Sequence, residues 1–251
     1  MTKIIPRIST SGYYDLTYGK TIKKDSYFLY PKKDFEGFIG SKELVIMIHG
    51  LRNDNAGATA KVILAKNRLS RLGYTFPVIG FSYDSNTAGA HLLKYVKRAL
   101  STGQIIAKKN GRNLAMFIED FKSSSPETKI RLMGHSLGSQ VILSTVEYLA
   151  KKSQNNGIIE SVYFFGASIT SDVPSSKKYG KLLDKVIRGK IVNYFSPTDD
   201  VLNWANNEKF VKGPLGLNGA TGKTISKYHQ KSVSPKNHRF ASYAAVLKSF
   251  P

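Results

Sequence analysis

Gly134, His135, Ser136, Leu137 and Gly138 form a Gly-x-Ser-x-Gly string, the first place in this chain where residue types and spacing could do chemistry. A serine hydroxyl is too weak an acid to be a useful nucleophile unaided. It needs a histidine to take its proton and an acid to orient and stabilise that histidine. The glycines matter because a nucleophilic serine sits in a strained turn, and neighbours without side chains let adjacent backbone approach closely. A serine that merely caps a helix would look similar in isolation, so the partners decide. Downstream, Ser196-Pro197-Thr198-Asp199-Asp200-Val201 offers two adjacent acids, Asp172 offers a more distant one, and Asn237-His238-Arg239 lies near the end of the chain.

The elements around these residues read as strand and helix in alternation. Five short apolar runs, Leu44 to Ile48, Val78 to Tyr83, Ile130 to Met133, Val162 to Phe165 and Ile191 to Phe195, fit strands buried on both faces of a parallel sheet. Between them, Ala58 to Leu72 carries Val62, Ala65, Leu69 and Leu72 at helical spacing, and Ser136 to Lys152 carries Val141, Ile142, Thr145 and Leu149. Ser136 thus falls between a strand and a helix, the setting a nucleophile elbow requires. Gly89 to Lys122 is long and helical in composition, with Leu92, Leu93, Val96, Leu100 and Phe117 among its core candidates, and Gly103 and Gly111 as candidate breaks. Before Lys42 one or two antiparallel strands are expected, best at Tyr27 to Tyr30, and Trp204 to Asn237 reads as an irregular loop region. The whole predicts a doubly wound, mostly parallel α/β sheet with helices on both faces and an antiparallel N-terminal edge. One domain spans 1–251, and the segments 86–122 and 203–237 are the candidates for lid or cap elements.

From about Lys42 onward the chain resembles the α/β-hydrolase superfamily on its lipase and esterase side, within a poorly characterised domain-of-unknown-function branch. The order Ser136, Asp199, His238 is similar to that superfamily's nucleophile, acid and base. Val45 to Leu51 is similar to the His-Gly segment after its third strand, which maps an oxyanion hole onto the N–H groups of Leu51 and Leu137. Among the acids, Asp199 fits the lipase-like Asp-x-Val spacing best, with Val201 packing behind it, and Asp200 stays open as its replacement. Among the histidines, His49 belongs to the oxyanion segment, His135 precedes the serine, and His91 lies in an early helix. His238, just before the helix-like Phe240 to Leu247, has the base's usual placement, while His229 suits an exposed or strand-edge position.

The resemblance implies a serine hydrolase that cleaves carboxylic esters through an acyl-enzyme, with a small-molecule or lipid ester as substrate and no cofactor. Lipase, thioesterase and acyltransferase behaviour remain open. The alternative is an idle scaffold whose basic surface binds anionic membrane or nucleic acid. Nucleic acid is disfavoured because no reader motif appears and the basic residues are not interleaved with stacking aromatics. Gly222-Lys223-Thr224 mimics the end of a phosphate-binding loop, but Leu217 stands where the pattern demands glycine. No histidine and carboxylate pair has zinc-site spacing, so no metal is expected.

Composition frames these readings. The chain has 251 residues, 41% hydrophobic and 22% charged, no cysteine, and a formal net charge of +21. Disulfides, thiolate metal sites and cysteine nucleophiles are therefore excluded. Met1 to Arg7 has no apolar stretch of signal-peptide length and Leu44 to Ile48 is the longest clean aliphatic run, so a cytoplasmic protein is expected. The charge is uneven. No acid follows Glu208, while Lys94, Lys97, Arg98, Lys108, Lys109 and Arg112 cluster before Glu119, and a third basic stretch runs from Lys177 to Lys190. A lysine-rich face is commonly a solvated one, but a positive mouth at the site would attract acidic esters or an anionic membrane surface.

Overall fold

The computed structural model describes residues 4–177 and 179–251, with the side chain of Leu93 also set aside. Of the residues singled out above, Met1 to Lys3, Lys178 and the side chain of Leu93 lie outside the described residues.

Strands β1 (Arg7–Ser9), β2 (Phe28–Tyr30), β3 (Glu43–Ile48), β4 (Val78–Ser82), β5 (Lys129–His135), β6 (Ser161–Phe165), β7 (Ile191–Phe195) and β8 (Tyr228–Ser232) form one sheet in the order β2-β1-β4-β3-β5-β6-β7-β8. All neighbours are parallel except the edge pair β1 and β2. The helices are α1 (Lys32–Glu36), α2 (Asn55–Arg71), α3 (Val96–Ser124), α4 (Gly138–Leu149), α5 (Gly180–Val186), α6 (Asp200–Asn207), α7 (Leu215–Asn218) and α8 (Phe240–Val246). This is the α/β-hydrolase fold with its antiparallel N-terminal edge.

Alternation along β3 explains the two cores. Leu44, Ile46 and Ile48 face one layer with Leu132 and with Ile106, Leu114 and Val141 of α3 and α4. Val45 and Met47 face the other, with Met133, Val62 and Leu69 of α2, and Phe240 and Tyr243 around α8. Successive strand residues point to opposite faces, so a continuous apolar run feeds both layers. At the far end of β5 from Ser136, Arg131 makes a bidentate ion pair with Glu43 (2.9 and 2.8 Å) and donates to Ser161 (2.9 Å), stitching β3, β5 and β6 in the interior.

Four expectations need correcting. Gly103 and Gly111 do not break the helix: α3 runs through both for 29 residues. They are points of close packing instead. A Cβ on Gly111 would lie 2.4 Å from Ser144 Cβ and 2.7 Å from Thr145 N, so the glycine lets α3 press against the backbone of α4. Trp204 to Asn237 is not all loop, for it holds the end of α6, α7 and the parallel strand β8. Strand β8 reads Tyr-His-Gln-Lys-Ser and is exposed beyond Tyr228, which is why no apolar pattern marks it. Of the N-terminal strands, β1 is parallel to β4 and only its pairing with β2 is antiparallel. His91 lies in a turn just before a short 3₁₀ segment, Leu93–Tyr95, rather than in a helix. Among the described residues no helix is long and apolar enough to cross a membrane.

Candidate active site

Ser136 occupies the single-residue corner between β5 and the turn that opens α4, with φ of 51°, in the left-handed region that side chains rarely adopt. Its corner is held from both sides: its N–H donates to Phe165 O (3.0 Å), and its carbonyl accepts from Ser139 Oγ (2.6 Å) and Ser139 N (3.0 Å). The flanking glycines have a measurable reason. A Cβ on Gly134 would sit 2.6 Å from Ile142 Cδ1, and one on Gly138 2.5 Å from Ile48 O, so α4 can start this close to β3 and β5 only without them.

His238 reaches this corner from the loop between β8 and α8. Its Nε2 lies 2.9 Å from Ser136 Oγ, and its Nδ1 lies 2.7 Å from Asp199 Oδ2. Asn237 fastens the loop to the start of α8, its Oδ1 accepting from Arg239 N (3.0 Å) and Ser242 Oγ (2.8 Å). Asp199 follows β7 and caps α6, where its Oδ1 accepts from Leu202 N (3.0 Å) and its Oδ2 from the Tyr243 hydroxyl (2.6 Å). Burial pushes the Asp199 carboxyl up, but the hydrogen bonds and charge of His238, with those from Tyr243 and Leu202, hold it below the ordinary value. Asp199 is only 3% exposed. Of the rival acids, Asp200 begins α6 on the cavity wall, and Asp172 accepts from Thr170. Val201 does not pack behind Asp199: it is 50% exposed and lines the cavity, because the helix turn directs the buried Leu202 inward instead.

The remaining histidines separate by environment. His229 is exposed on the edge strand β8. His135 is buried, and its Nε2 donates to the carbonyl of His238 (2.7 Å), tying the β5 end to the loop of the second histidine. Burial, together with the neighbouring His238, pushes the His135 imidazole down to about 3. His49 is likewise buried and lowered to about 4 by desolvation, stacked on Tyr83 at 4.5 Å between ring centres. Its Nδ1 lies 3.0 Å from Gly50 O, and its Nε2 accepts from Tyr83 N (3.3 Å), an arrangement that suits the neutral ring.

The segment after β3 is clamped by Asn53, whose Nδ2 donates to Gly50 O (3.0 Å) and Leu51 O (2.8 Å). Among the described residues, the N–H groups of Leu51 and Leu137 donate to no protein group. Both leucine side chains rest on one point of α3: a Cβ on Gly103 would lie 2.4 Å from Leu51 Cδ1 and 3.2 Å from Leu137 Cδ2. Gly50 is just as constrained, since a Cβ there would meet Ser136 Cβ at 2.8 Å.

Above Ser136 opens a cavity of about 920 Å³, bordered by Leu51, Val96, Leu100, Val201, Trp204 and Phe240 and by the cations Arg52, Lys61 and Arg239, with Asp200 as its one acid among the described residues. Trp204 contributes with Phe210 stacked on it (5.7 Å), whereas Leu215 and Leu217 are buried in the protein rather than on this wall. Sequence reasoning missed Tyr243, Asn53 and the contacts of His135 and Gly103. Tyr243 lies on the buried face of α8 with Phe240 and carries no signal beyond that of a core aromatic.

The model of the family described as Protein of unknown function (DUF726) matches residues 52–212. An uncharacterized membrane protein of Caenorhabditis elegans is 36% identical over 75 residues, which are 30% of this chain and 12% of that protein, so the chain spans about an eighth of that relative's length. Among solved structures, an alpha-beta serine hydrolase homologue from Coxiella burnetii is 13% identical with a TM-score of 0.41, covering 82% of each chain. The cutinase of Trichoderma reesei, in complex with a phosphonate inhibitor, is 20% identical with a TM-score of 0.32, covering 54% of this chain and 60% of the cutinase.

Proposed function

The chain belongs to the family described as Protein of unknown function (DUF726), and from that premise, which assigns no activity, we propose that it is a serine hydrolase of carboxylic esters. The observation that carries the reading is the continuous chain of short contacts from Ser136 Oγ to His238 Nε2 (2.9 Å) and from His238 Nδ1 to Asp199 Oδ2 (2.7 Å). In the first half-reaction Ser136 Oγ attacks the acyl carbon while His238 takes its proton, then passes that proton to the departing alcohol oxygen. In the second, His238 takes a proton from water, the resulting hydroxide attacks the acyl-enzyme, and the proton returns to Ser136 as the acid leaves. Asp199 remains ionised throughout and holds the imidazole in register.

The N–H groups of Leu51 and Leu137 are the oxyanion donors in this scheme, and each such donor is worth about two to three orders of magnitude in kcat. The apolar wall from Val96 and Leu100 to Trp204 suits an acyl chain, and Arg52, Lys61 and Arg239 suit a substrate with an anionic group or an anionic lipid surface. Segments 86–122 and 203–237 supply α3 and Trp204 to that wall, the placement a lid or cap would need.

A fluorophosphonate probe tests the reading. Wild-type protein is expected to be labelled and Ser136→Ala not, while folded wild type that takes up no label would favour an idle scaffold. Chromogenic esters of increasing acyl length would then define the substrate, and loss of any preference for anionic esters in added salt is expected if the three cations set it.

A further inference from the structure

A second cavity lies along the middle of α3, with no lining residue in common with the Ser136 cavity. It encloses about 630 Å³ between α3, α4 and the segment before β2. Lys23 and Lys24 come from that segment, Lys108, Lys109 and Arg112 from α3, and Lys151 from the turn after α4, facing only Asp25 and Glu147 among the carboxylates of its wall. Among the described residues none of the six cations forms an ion pair.

Convergence of this kind is unfavourable without a counter-charge. Lys108 and Arg112 stand one helical turn apart, where like charges repel, and the concave wall concentrates the field of all six. The wall is nonetheless preformed. Lys109 Nζ donates to Gly19 O (2.9 Å) and Thr21 Oγ1 (3.2 Å), the Tyr14 hydroxyl donates to Asn113 Oδ1 (3.0 Å), and Asn113 Nδ2 donates to Ser26 O. These bonds fix the backbone of the basic segment against α3, and the six cationic side chains stand exposed around the cavity. Met116 and Tyr148 add an apolar patch beside the cations.

We propose that this cavity is a binding site for a compact ligand carrying two or more phosphate groups on a small ring or chain. Multiple phosphates match the number of cations, lysine and arginine are the donors that suit phosphate oxygens, and the Tyr148 and Met116 patch accommodates the carbon skeleton between them. The volume suits a small molecule or a single headgroup. The ligand's source is either a soluble polyphosphorylated compound or a phosphorylated lipid headgroup presented by a bilayer.

Isothermal titration with inorganic tripolyphosphate tests the site on the full chain. Saturable one-to-one binding is expected, weakened at least about tenfold in Lys24→Ala/Lys108→Ala/Arg112→Ala and unchanged in the charge-matched control Lys33→Ala/Lys66→Ala/Lys248→Ala. The single variant Lys108→Ala guards against a folding defect, and fluorophosphonate labelling of Ser136 reports independently on the other cavity. No saturable binding, equal loss in both triple variants, or a single-stranded oligonucleotide that binds more tightly than tripolyphosphate and is insensitive to the cavity variants would each overturn the proposal. Co-sedimentation with phosphatidylcholine vesicles containing phosphatidylinositol 4,5-bisphosphate, lost in the cavity variant, assigns the site to a lipid headgroup. Tripolyphosphate binding without such co-sedimentation assigns it to a soluble ligand.

Discussion

Tyr243 and His238 share one acceptor atom: the tyrosine hydroxyl and the imidazole Nδ1 lie 2.6 and 2.7 Å from the same oxygen, Oδ2 of Asp199. The carboxylate therefore presents one oxygen to two side chains and reserves the other for the N–H of Leu202 (3.0 Å). Tyr243→Phe removes one donor while keeping the ring beside His135. Hydrogen bonds to charged groups are worth about 1.5–3 kcal/mol, so the turnover of any ester the protein cleaves should fall about tenfold or more. Because the lost bond favoured the ionised carboxylate, the Asp199 carboxyl should titrate at higher pH, and the acid limb of kcat/KM should move upward with it. An unchanged pH profile would reduce Tyr243 to a packing residue.

Gly103→Ala tests whether α3 sets the positions of the two candidate oxyanion donors. The added methyl would meet the mobile end of Leu51 at 2.4 Å and of Leu137 at 3.2 Å. Alanine improves helix propensity by about 1 kcal/mol over glycine, which offsets much of the cost of moving a leucine tip. The melting temperature should thus change little while kcat falls, with KM less affected, as steady-state kinetics and a thermal melt would reveal. A parallel loss of stability and activity would point to general disruption instead.

Acid should destabilise the protein through groups that the fold keeps neutral. The unfolded chain takes up protons on its histidines below about 6.5, whereas native His49 and His135 resist them down to about 4 and about 3. Below about 6.5 the unfolded state therefore binds more protons, so stability is full above that pH and is lost as pH falls toward 4 and then 3. The lowered Asp199 carboxyl acts in the same direction, its contribution being present above the ordinary carboxylate value and lost below it. Urea midpoints at pH 7.5 and 4.5 would measure the slope. His135→Gln keeps an N–H donor for the His238 carbonyl and removes one titrating ring, and should flatten that slope.

Arg131→Met should separate stability from chemistry. It leaves Glu43 buried without its bidentate partner, and breaking a buried pair on one side costs about 3–5 kcal/mol. Arg131 lies five residues before Ser136 on β5, roughly 16 Å away along an extended strand. A large drop in melting temperature is expected, with an unaltered labelling rate at low temperature.

How much of this was readable from residues alone depended on whether a side chain's role was local. Buried parallel strands such as Val162 to Phe165 and the turn at Ser136 carry their own pattern, and each was placed to within a few residues. The pairing of His238 with Asp199 was legible only through chain order and family resemblance, because the two lie on separate loops. Strand β8 escaped notice because an exposed edge strand has no apolar alternation to show. Gly103 and Gly111 were misread as breaks, since a glycine that admits a neighbouring helix and one that ends a helix are the same letter. The basic residues of α3 were visible as a cluster, but that Lys23, Lys24 and Lys151 join them around one cavity depends on how α3, α4 and the N-terminal segment pack.

The sheet has two interiors, and Ser136 and His238 come from opposite sides of it. Ser136 opens the helix layer of α3 and α4, whereas His238 comes from the loop that leads into α8, in the layer that contains α2. The 2.9 Å contact between them is therefore a measure of how the two layers are aligned across the sheet, as well as a step in the proposed proton path. A displacement of the start of α4 or of the loop before α8 would lengthen that contact, so the reactivity of a single hydroxyl reports how the two layers meet at this corner.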